Sequence, residues 1–548
     1  MTFLVLLFSA RSYAVEIIPV SEVRPGMKGY GLTVLQGTEV VRFEVEAIDV
    51  MKNYRPQQDI ILVRCSGQGL ERTRIIAGMS GSPIFFDNRL AGAIAYGWQF
   101  SLDPIAGVTP IESMLKELER PPEPLSAVPL SSGGQGLAPV ATPLLVSGLD
   151  APALKSLEDE LKPYGWVPVM AGGGDGGSAP KKLEMGGAIG AQMVSGDIKM
   201  TAVGTVTYLD GNTVLAFGHP FMNGGALSLP LTTVRIHTVL SSQSLSMKLA
   251  SPGPAVGRLT QDRQACIVGR LGEVAPMIPY TIHIQGPGPG ISREYKVAVA
   301  QQVLLTPMLL QVVFQQALES GAAISQPHTV NLQAFMDFEG YPPITYQDTL
   351  YSLRESSYGQ MLAPARILLM NPFAKTRLKS MRVELEVHDQ LEAAEIKALR
   401  AYPLEVEPGQ TVTVRVLLKP YQAPAEEVSL QVRVPEEARD RLTLEVTGGG
   451  QLPPDVAEPE SVEDLIQAIG KLYPARSLVV SYRLPERGVD LRGQRYRRLP
   501  PSVVSALTPA SATEAQTISE LRTLVQKVPY VVLGSDQIEI KVRTPLTK

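Results

Sequence analysis

Beyond residue 380 the chain repeatedly alternates apolar and polar side chains, as in M-R-V-E-L-E-V, T-V-T-V-R-V-L-L and V-S-L-Q-V-R-V. Period-two patterning buries every second side chain and wets the others, which suits a strand with one covered face and not a helix. Earlier strings have the same strand-like make-up: F-E-V-E-A-I-D-V, D-I-I-L-V-R-C, K-M-T-A-V-G-T-V-T-Y and Y-T-I-H-I-Q. The 48 glycines and 45 prolines supply turns between them and speak against a helical bundle. The chain therefore reads as mainly β. Its 548 residues, at roughly 100–200 per domain, call for three or four domains.

Composition suggests the boundaries. Residues 1–14 read as the remnant of a secretory signal: Phe3 to Phe8 is a short apolar run, with Ser12 and Ala14 at cleavage spacing. This makes the chain exported, periplasmic or extracellular, with the mature protein starting near Val15. Residues 15–118 form a first unit, ending in a helix opened by Thr109-Pro110 and carried from Ile111 to Glu119. Residues 119–136 are a proline- and glycine-rich linker. A second unit spans 137–323, with a glycine-rich insert at 171–180 and a closing helix announced by Thr306-Pro307. Residues 324–450 alternate like an immunoglobulin-like β-sandwich, which the triple glycine at 448–450 ends. Residues 451–548 read as a small α+β domain: a helix capped by Ser461 with Asp464 three along, a second helix near 517–527, and a last strand, Q-I-E-I-K-V.

Charge and rare residues narrow the function. A formal charge of −4 gives no global field for nucleic acid or an anionic membrane. The arginines at 492, 495, 497 and 498 flank a single aromatic, Tyr496, too little for a base-stacking surface. Two cysteines, Cys65 and Cys266, are either one disulfide or two buried thiols. C-x-x-C, H-E-x-x-H, calcium-loop and phosphate-loop motifs are lacking, so the reading calls for neither metal nor cofactor.

The sharpest local signal is G-M-S-G-S-P at 78–83. Glycines on both sides of Ser80 describe a tight loop whose backbone N–H groups can converge. Those of Gly78 and Ser80 form a candidate oxyanion hole beside the Ser80 hydroxyl as nucleophile. The following strands, Pro83 to Phe86 and Leu90 to Tyr96, should pair through a turn at Asp87-Asn88. A hydroxyl needs a base, and among five histidines His219 stands out. It follows the strand T-V-L-A-F in a glycine-proline loop, A-F-G-H-P-F-M-N-G-G. His237 and His283 fall within strands, and His328 and His388 lie in or near the sandwich-like unit. A glycine turn and a histidine bonded only to its own loop are the plainer readings of these two segments.

The serine loop resembles the G-D-S-G-G-P loop of chymotrypsin-like proteases, with Met79 and Ser82 as replacements. Taken together, the two loops resemble the SpoIVB-type serine peptidases of bacteria, through Gly78 to Pro83, Gly218-His219, G-T-V-T-Y-L-D-G-N and G-A-I-A-Y-G-W. The similarity covers roughly residues 20–118 and 185–290. It implies a chymotrypsin-like double β-barrel, with Ser80 and His219 facing each other. Two departures accompany it. Ser80 precedes His219 here, the reverse of the family order, so the barrels would be circularly permuted. The position where the family carries an aspartate upstream of the serine is Cys65. Candidate acids are Asp210, Asp59, Asp262 and Glu71, or else a backbone carbonyl orients the histidine. Asp262 and Arg263 lie either in a groove beside the site or in a surface turn. The PDZ module of the sporulation enzyme is not recognisable.

Three functions remain. The first is an exported serine endopeptidase acting on a protein or peptide. The second is a catalytically inactive scaffold of the bacterial cell envelope, with a partner held by the C-terminal domains. The third is a protease restricted to self-processing, for which the 171–180 insert is a candidate nick site.

Overall fold

A computed structural model describes residues 15–98, 100–121, 123, 137–172, 179–288, 290–321, 327–352, 362–453, 459–491, 494–496, 499–508 and 515–543. The signal remnant, most of the 119–136 linker, positions 173–178 of the glycine insert and Arg492, Arg497 and Arg498 lie outside these residues. The protein is mainly β, and its chain forms two compact units: residues 1–278 with 297–313, and residues 279–296 with 314–548.

The first unit opens with β1 (Lys28–Val34), β2 (Val40–Arg55), β3 (Gln58–Ser66), β4 (Pro83–Phe86), β5 (Arg89–Gly97) and β6 (Ile105–Pro110). Pairing runs β4-β1-β2-β3-β6-β5 and returns from β5 to β4, so these six strands close into a barrel. Alternation along β2 and β3 points Phe43, Val45, Ile61, Val63 and Cys65 inward, against Ile84, Phe86 and Ile94. The expected hairpin is present. Asp87 and Asn88 both take left-handed φ values, 52° and 61°, as a two-residue turn of this type requires. The expected helix follows β6 as Ile111–Lys116 and a 3-10 turn over Glu117–Glu119.

The rest of the first unit adds β7 (Ala138–Pro139), β8 (Thr142–Ser147), β9 (Trp166–Met170), β10 (Ala188–Gly196), β11 (Lys199–Asp210), β12 (Thr213–Ala216), β13 (Gly225–Leu240), β14 (Met247–Asp262) and β15 (Ile267–Leu271). Here pairing runs β10-β13-β14-β15-β12-β11 and returns from β11 to β10, a second six-membered ring of hydrogen-bonded strands. Apolar residues from both rings and from the segments that join their strands, among them Phe85, Leu90, Met114, Leu215, Cys266 and Val268, share one core. Cys65 and Cys266 are free thiols buried in separate cores.

In the second unit, residues 280–285 run parallel to Leu378–His388, which pairs antiparallel with His328–Phe338 and through it with Ile344–Ser352. Two further sheets share a core of Val412, Val414, Val416, Leu430, Leu444, Val446, Leu478 and Ile540, drawn from both sides of the triple glycine. The helix Val462–Gly470 starts where Ser461 accepts a hydrogen bond from the Asp464 N–H at 3.1 Å. The second expected helix is not formed. Ala515–Lys527 is a strand, registered against Ser477–Leu491 from Ser477↔Lys527 to Leu491↔Ala515. Ile518, Leu521, Leu524 and Val525 have helical spacing, but a long antiparallel partner overrides that local preference.

Candidate functional site

The Ser80 loop joins Leu70–Thr73 to β4, and the His219 loop joins β12 to β13. Both lie in the first unit, and their backbones touch. The Gly81 N–H donates to the Ile94 carbonyl at 2.7 Å, and that same oxygen lies 3.0 Å from where a Cβ on Gly218 would sit. A Cβ on Gly81 would fall 2.0 Å from the Thr205 carbonyl oxygen and 2.5 Å from the Phe217 nitrogen. Glycine at 81 and 218 is what lets the two loops approach, and both have positive φ, 93° and 68°.

Residue by residue, β11 holds the serine loop. The Thr205 N–H donates to the Ser80 carbonyl at 2.8 Å, and the Thr205 hydroxyl donates to the Gly78 carbonyl at 3.0 Å. The Thr207 hydroxyl donates to the Gly81 carbonyl at 2.7 Å. The Met79 N–H turns back to the Ile76 carbonyl. Among the described residues, the Gly78 and Ser80 N–H groups are not engaged in any of these bonds.

The histidine loop is fixed from behind. Asp262 accepts from the N–H groups of Phe221 and Met222, both at 2.8 Å, and of Gly224 at 3.1 Å. Burial pushes its carboxyl up, and the backbone donors oppose that shift. On the other side the Thr109 hydroxyl donates to the Gly218 carbonyl at 2.7 Å. Gln58 and Gln264 extend this chain, with Gln264 donating to Gln58 and Gln58 to Thr109. Phe217 adopts φ 67°, unusual for a bulky residue, and its ring packs where any side chain at Gly204 would stand. The Phe221 ring meets Phe217 and Trp166 edge to face, at 4.5 and 5.3 Å between centroids.

His219 itself is 1% exposed, and Ser80 is 0% exposed. The imidazole Nδ1 lies 2.8 Å from the Pro220 carbonyl oxygen. Since a carbonyl only accepts, Nδ1 carries the proton, and Nε2 is left as the lone-pair nitrogen. Neither Nε2 nor the Ser80 hydroxyl has a hydrogen-bond partner among the described residues. Burial pulls the imidazole down to about 4; the Pro220 carbonyl opposes this, and the Arg55 guanidinium adds to it. The ring is therefore neutral at pH 7.

The candidate acids separate clearly. Asp262 reaches the backbone of the histidine loop, not the imidazole. Asp59 accepts from the Asn53 N–H, Glu71 accepts from the Gly67 N–H, and Asp210 is exposed at the end of β11. Arg263 is buried and donates to Gln261 and to the Pro121 carbonyl, so the segment is no surface turn. Of the other histidines, His237 bonds the Ser251 hydroxyl, His283 the Ser292 hydroxyl and His388 the Asn331 amide. His328 is buried in a strand of the second unit. Sequence reasoning missed Thr205, Thr109 and Lys248. Threonine and lysine in strings such as S-M-K-L-A-S carry no motif, and only the strand pairing brings them to the loops.

The model of the SpoIVB peptidase S55 family matches residues 8–115. That stretch includes the Ser80 loop and its hairpin and stops short of the His219 loop. It relates this part of the chain to a protease family. No curated protein and no solved structure gives a match.

Proposed function

We propose that the protein is a serine endopeptidase with Ser80 as nucleophile and His219 as general base. One observation carries this reading above the others. Two loops in backbone contact present an unpartnered hydroxyl and an unpartnered imidazole nitrogen, the latter in the tautomer that accepts a proton. His219 Nε2 takes the proton as Ser80 Oγ bonds to a peptide carbonyl carbon. The oxyanion is met by the N–H groups of Gly78 and Ser80. The C–N bond then breaks, the amine leaves with the proton from Nε2, and water repeats the cycle to release the acyl group. The Pro220 carbonyl holds the ring where an acid would otherwise do so, and Asp262 serves as the clamp of the loop.

Further parts of the reading have separate supports. Two six-membered rings of strands, with Ser80 entering the first and His219 leaving a strand of the second, favour a permuted chymotrypsin-like pair of barrels. A core shared by two sheets supports a sandwich in the second unit, although the domain limits at 118, 136, 323 and 450 rest on composition. Export, and a partner bound through the C-terminal domains, rest on the apolar start and on the presence of those domains. Among the described residues no helix is long and apolar enough to cross a membrane.

Burial of both reactive side chains favours a second reading, in which the chain is an inactive scaffold or works only when its site is opened. Incubating the wild type and Ser80→Ala with a mixture of denatured proteins, then counting new peptide termini by mass spectrometry, separates the two. Serine-dependent termini support the peptidase; identical patterns from the two proteins favour the scaffold.

A further inference from the structure

Lys248 is 0% exposed and lies against the serine loop. A Cβ on Gly78 would stand 3.1 Å from its Cδ. Its backbone N–H donates to the Ala77 carbonyl, and the Ala77 N–H donates to the Ser246 carbonyl, so β14 flanks the loop just ahead of Gly78. A buried amine ordinarily meets a carboxylate. This one meets hydroxyls instead: Thr33 Oγ1 at 2.9 Å and Thr205 Oγ1 at 3.4 Å.

Thr205 makes that unusual choice matter. Its hydroxyl donates to the Gly78 carbonyl and its N–H to the Ser80 carbonyl, so it brackets the Met79-Ser80 peptide whose N–H is one of the two candidate oxyanion donors. An ammonium is a donor only. While Lys248 is charged, the Thr205 hydroxyl must accept from Nζ and can send its own proton only to Gly78. A neutral amine has a lone pair, and the same hydroxyl can then turn and donate to Nζ, releasing the Gly78 carbonyl.

We propose that Lys248 is a positioning residue of the Ser80 site, holding the Gly78–Ser80 backbone through the Thr205 hydroxyl and letting it go when the amine loses its proton. The inference rests on the serine-peptidase reading for its effect on reactivity, though not for its effect on the loop. Burial pulls the amine down to about 7. What faces it is uncharged: Thr33 from β1, Thr205 from β11, and Ala77 and Gly78 from the loop. No carboxylate or second cation contributes to its shift.

The test compares wild type, Lys248→Met and Thr205→Val between pH 5 and 9. Fluorophosphonate labelling of Ser80 and amide exchange of peptides spanning 76–84, corrected for intrinsic rate, are followed together. In the wild type, labelling falls and loop exchange rises roughly fivefold as pH passes 7, the worth of one neutral hydrogen bond. In both variants the step near pH 7 disappears while the native thermal transition persists. A wild type that never labels yet shows the exchange step, absent in Lys248→Met, upholds the inference and defeats the nucleophile reading. No step in the wild type, or an unchanged step in Lys248→Met, overturns it.

Discussion

The Pro220 carbonyl accepts the Nδ1 proton of its neighbour His219 at 2.8 Å, so a single peptide group sets the tautomer that a triad leaves to an acid. Burial keeps this imidazole neutral, and among the described residues no carboxylate bonds to it.

The pH profile of Ser80 labelling should record that neutrality. The rising limb, where the imidazole loses its proton, is expected near pH 4 and not near the usual 6.5. His219→Ala should remove the limb and lower labelling by about three to four orders of magnitude, the scale at which triad members act. A rising limb close to 6.5 would mean a solvated ring.

Asp262→Asn separates a loop clamp from a catalytic acid. The substitution trades a carboxylate that accepts three backbone N–H groups for an amide that can turn a donor toward them. A loss of about 2 kcal/mol in denaturant unfolding is expected, since buried donors lose their acceptor. The labelling limb near pH 4 should stay where it is, because Asp262 does not touch the ring.

Gly81→Ala should be among the most damaging small changes. The new methyl meets backbone atoms of Thr205 and Phe217, which cannot rotate away, at a φ of 93°. A cost of about 3 kcal/mol or more follows from overpacking and strain together. Gly211→Ala, where a Cβ meets nothing within 4 Å but φ is also positive at 54°, should cost about 1 kcal/mol.

Global stability and the serine loop should respond to Lys248 in opposite directions. The amine titrates near 7 in the fold and near 10.5 when unfolded, so the unfolded chain holds the extra proton between these values. Stability therefore rises with pH across that window, by an amount on the order of a few kcal/mol. Urea midpoints from pH 7 to 9.5 should climb in the wild type and stay flatter in Lys248→Met.

Cys65 and Cys266 should both remain thiols. Each lies in its own core, and burial pushes Cys65 up to about 12. Alkylation without reductant should add two groups after denaturation and none to the native protein; a chain that takes none when unfolded would carry a disulfide.

What could be read from sequence was local. The serine loop, its Asp87-Asn88 hairpin, the helix after Pro110 and the Ser461 cap are set by neighbours a few positions apart. The histidine loop was visible because glycine, histidine and proline are informative residues in a short run. By sequence Asp262 is one of four candidate acids, and its role as a loop clamp depends on where β14 ends relative to Phe221, which spacing does not encode. Lys248 looks like any wet lysine in a strand; β1, β11 and the serine loop, all distant in sequence, are what pack over it. At residues 515–527 the same holds: helical spacing is outweighed by a partner strand whose paired positions lie 24 to 50 residues upstream.

The most direct measurement is the intact mass of the folded protein after treatment with a small fluorophosphonate, followed by peptide mapping, beside Ser80→Ala and His219→Ala. One adduct on the wild type, mapped to Ser80, absent from Ser80→Ala and nearly absent from His219→Ala, is the predicted result. A folded wild type that takes no adduct at any pH between 5 and 7, or one that labels equally well without His219, would contradict the account.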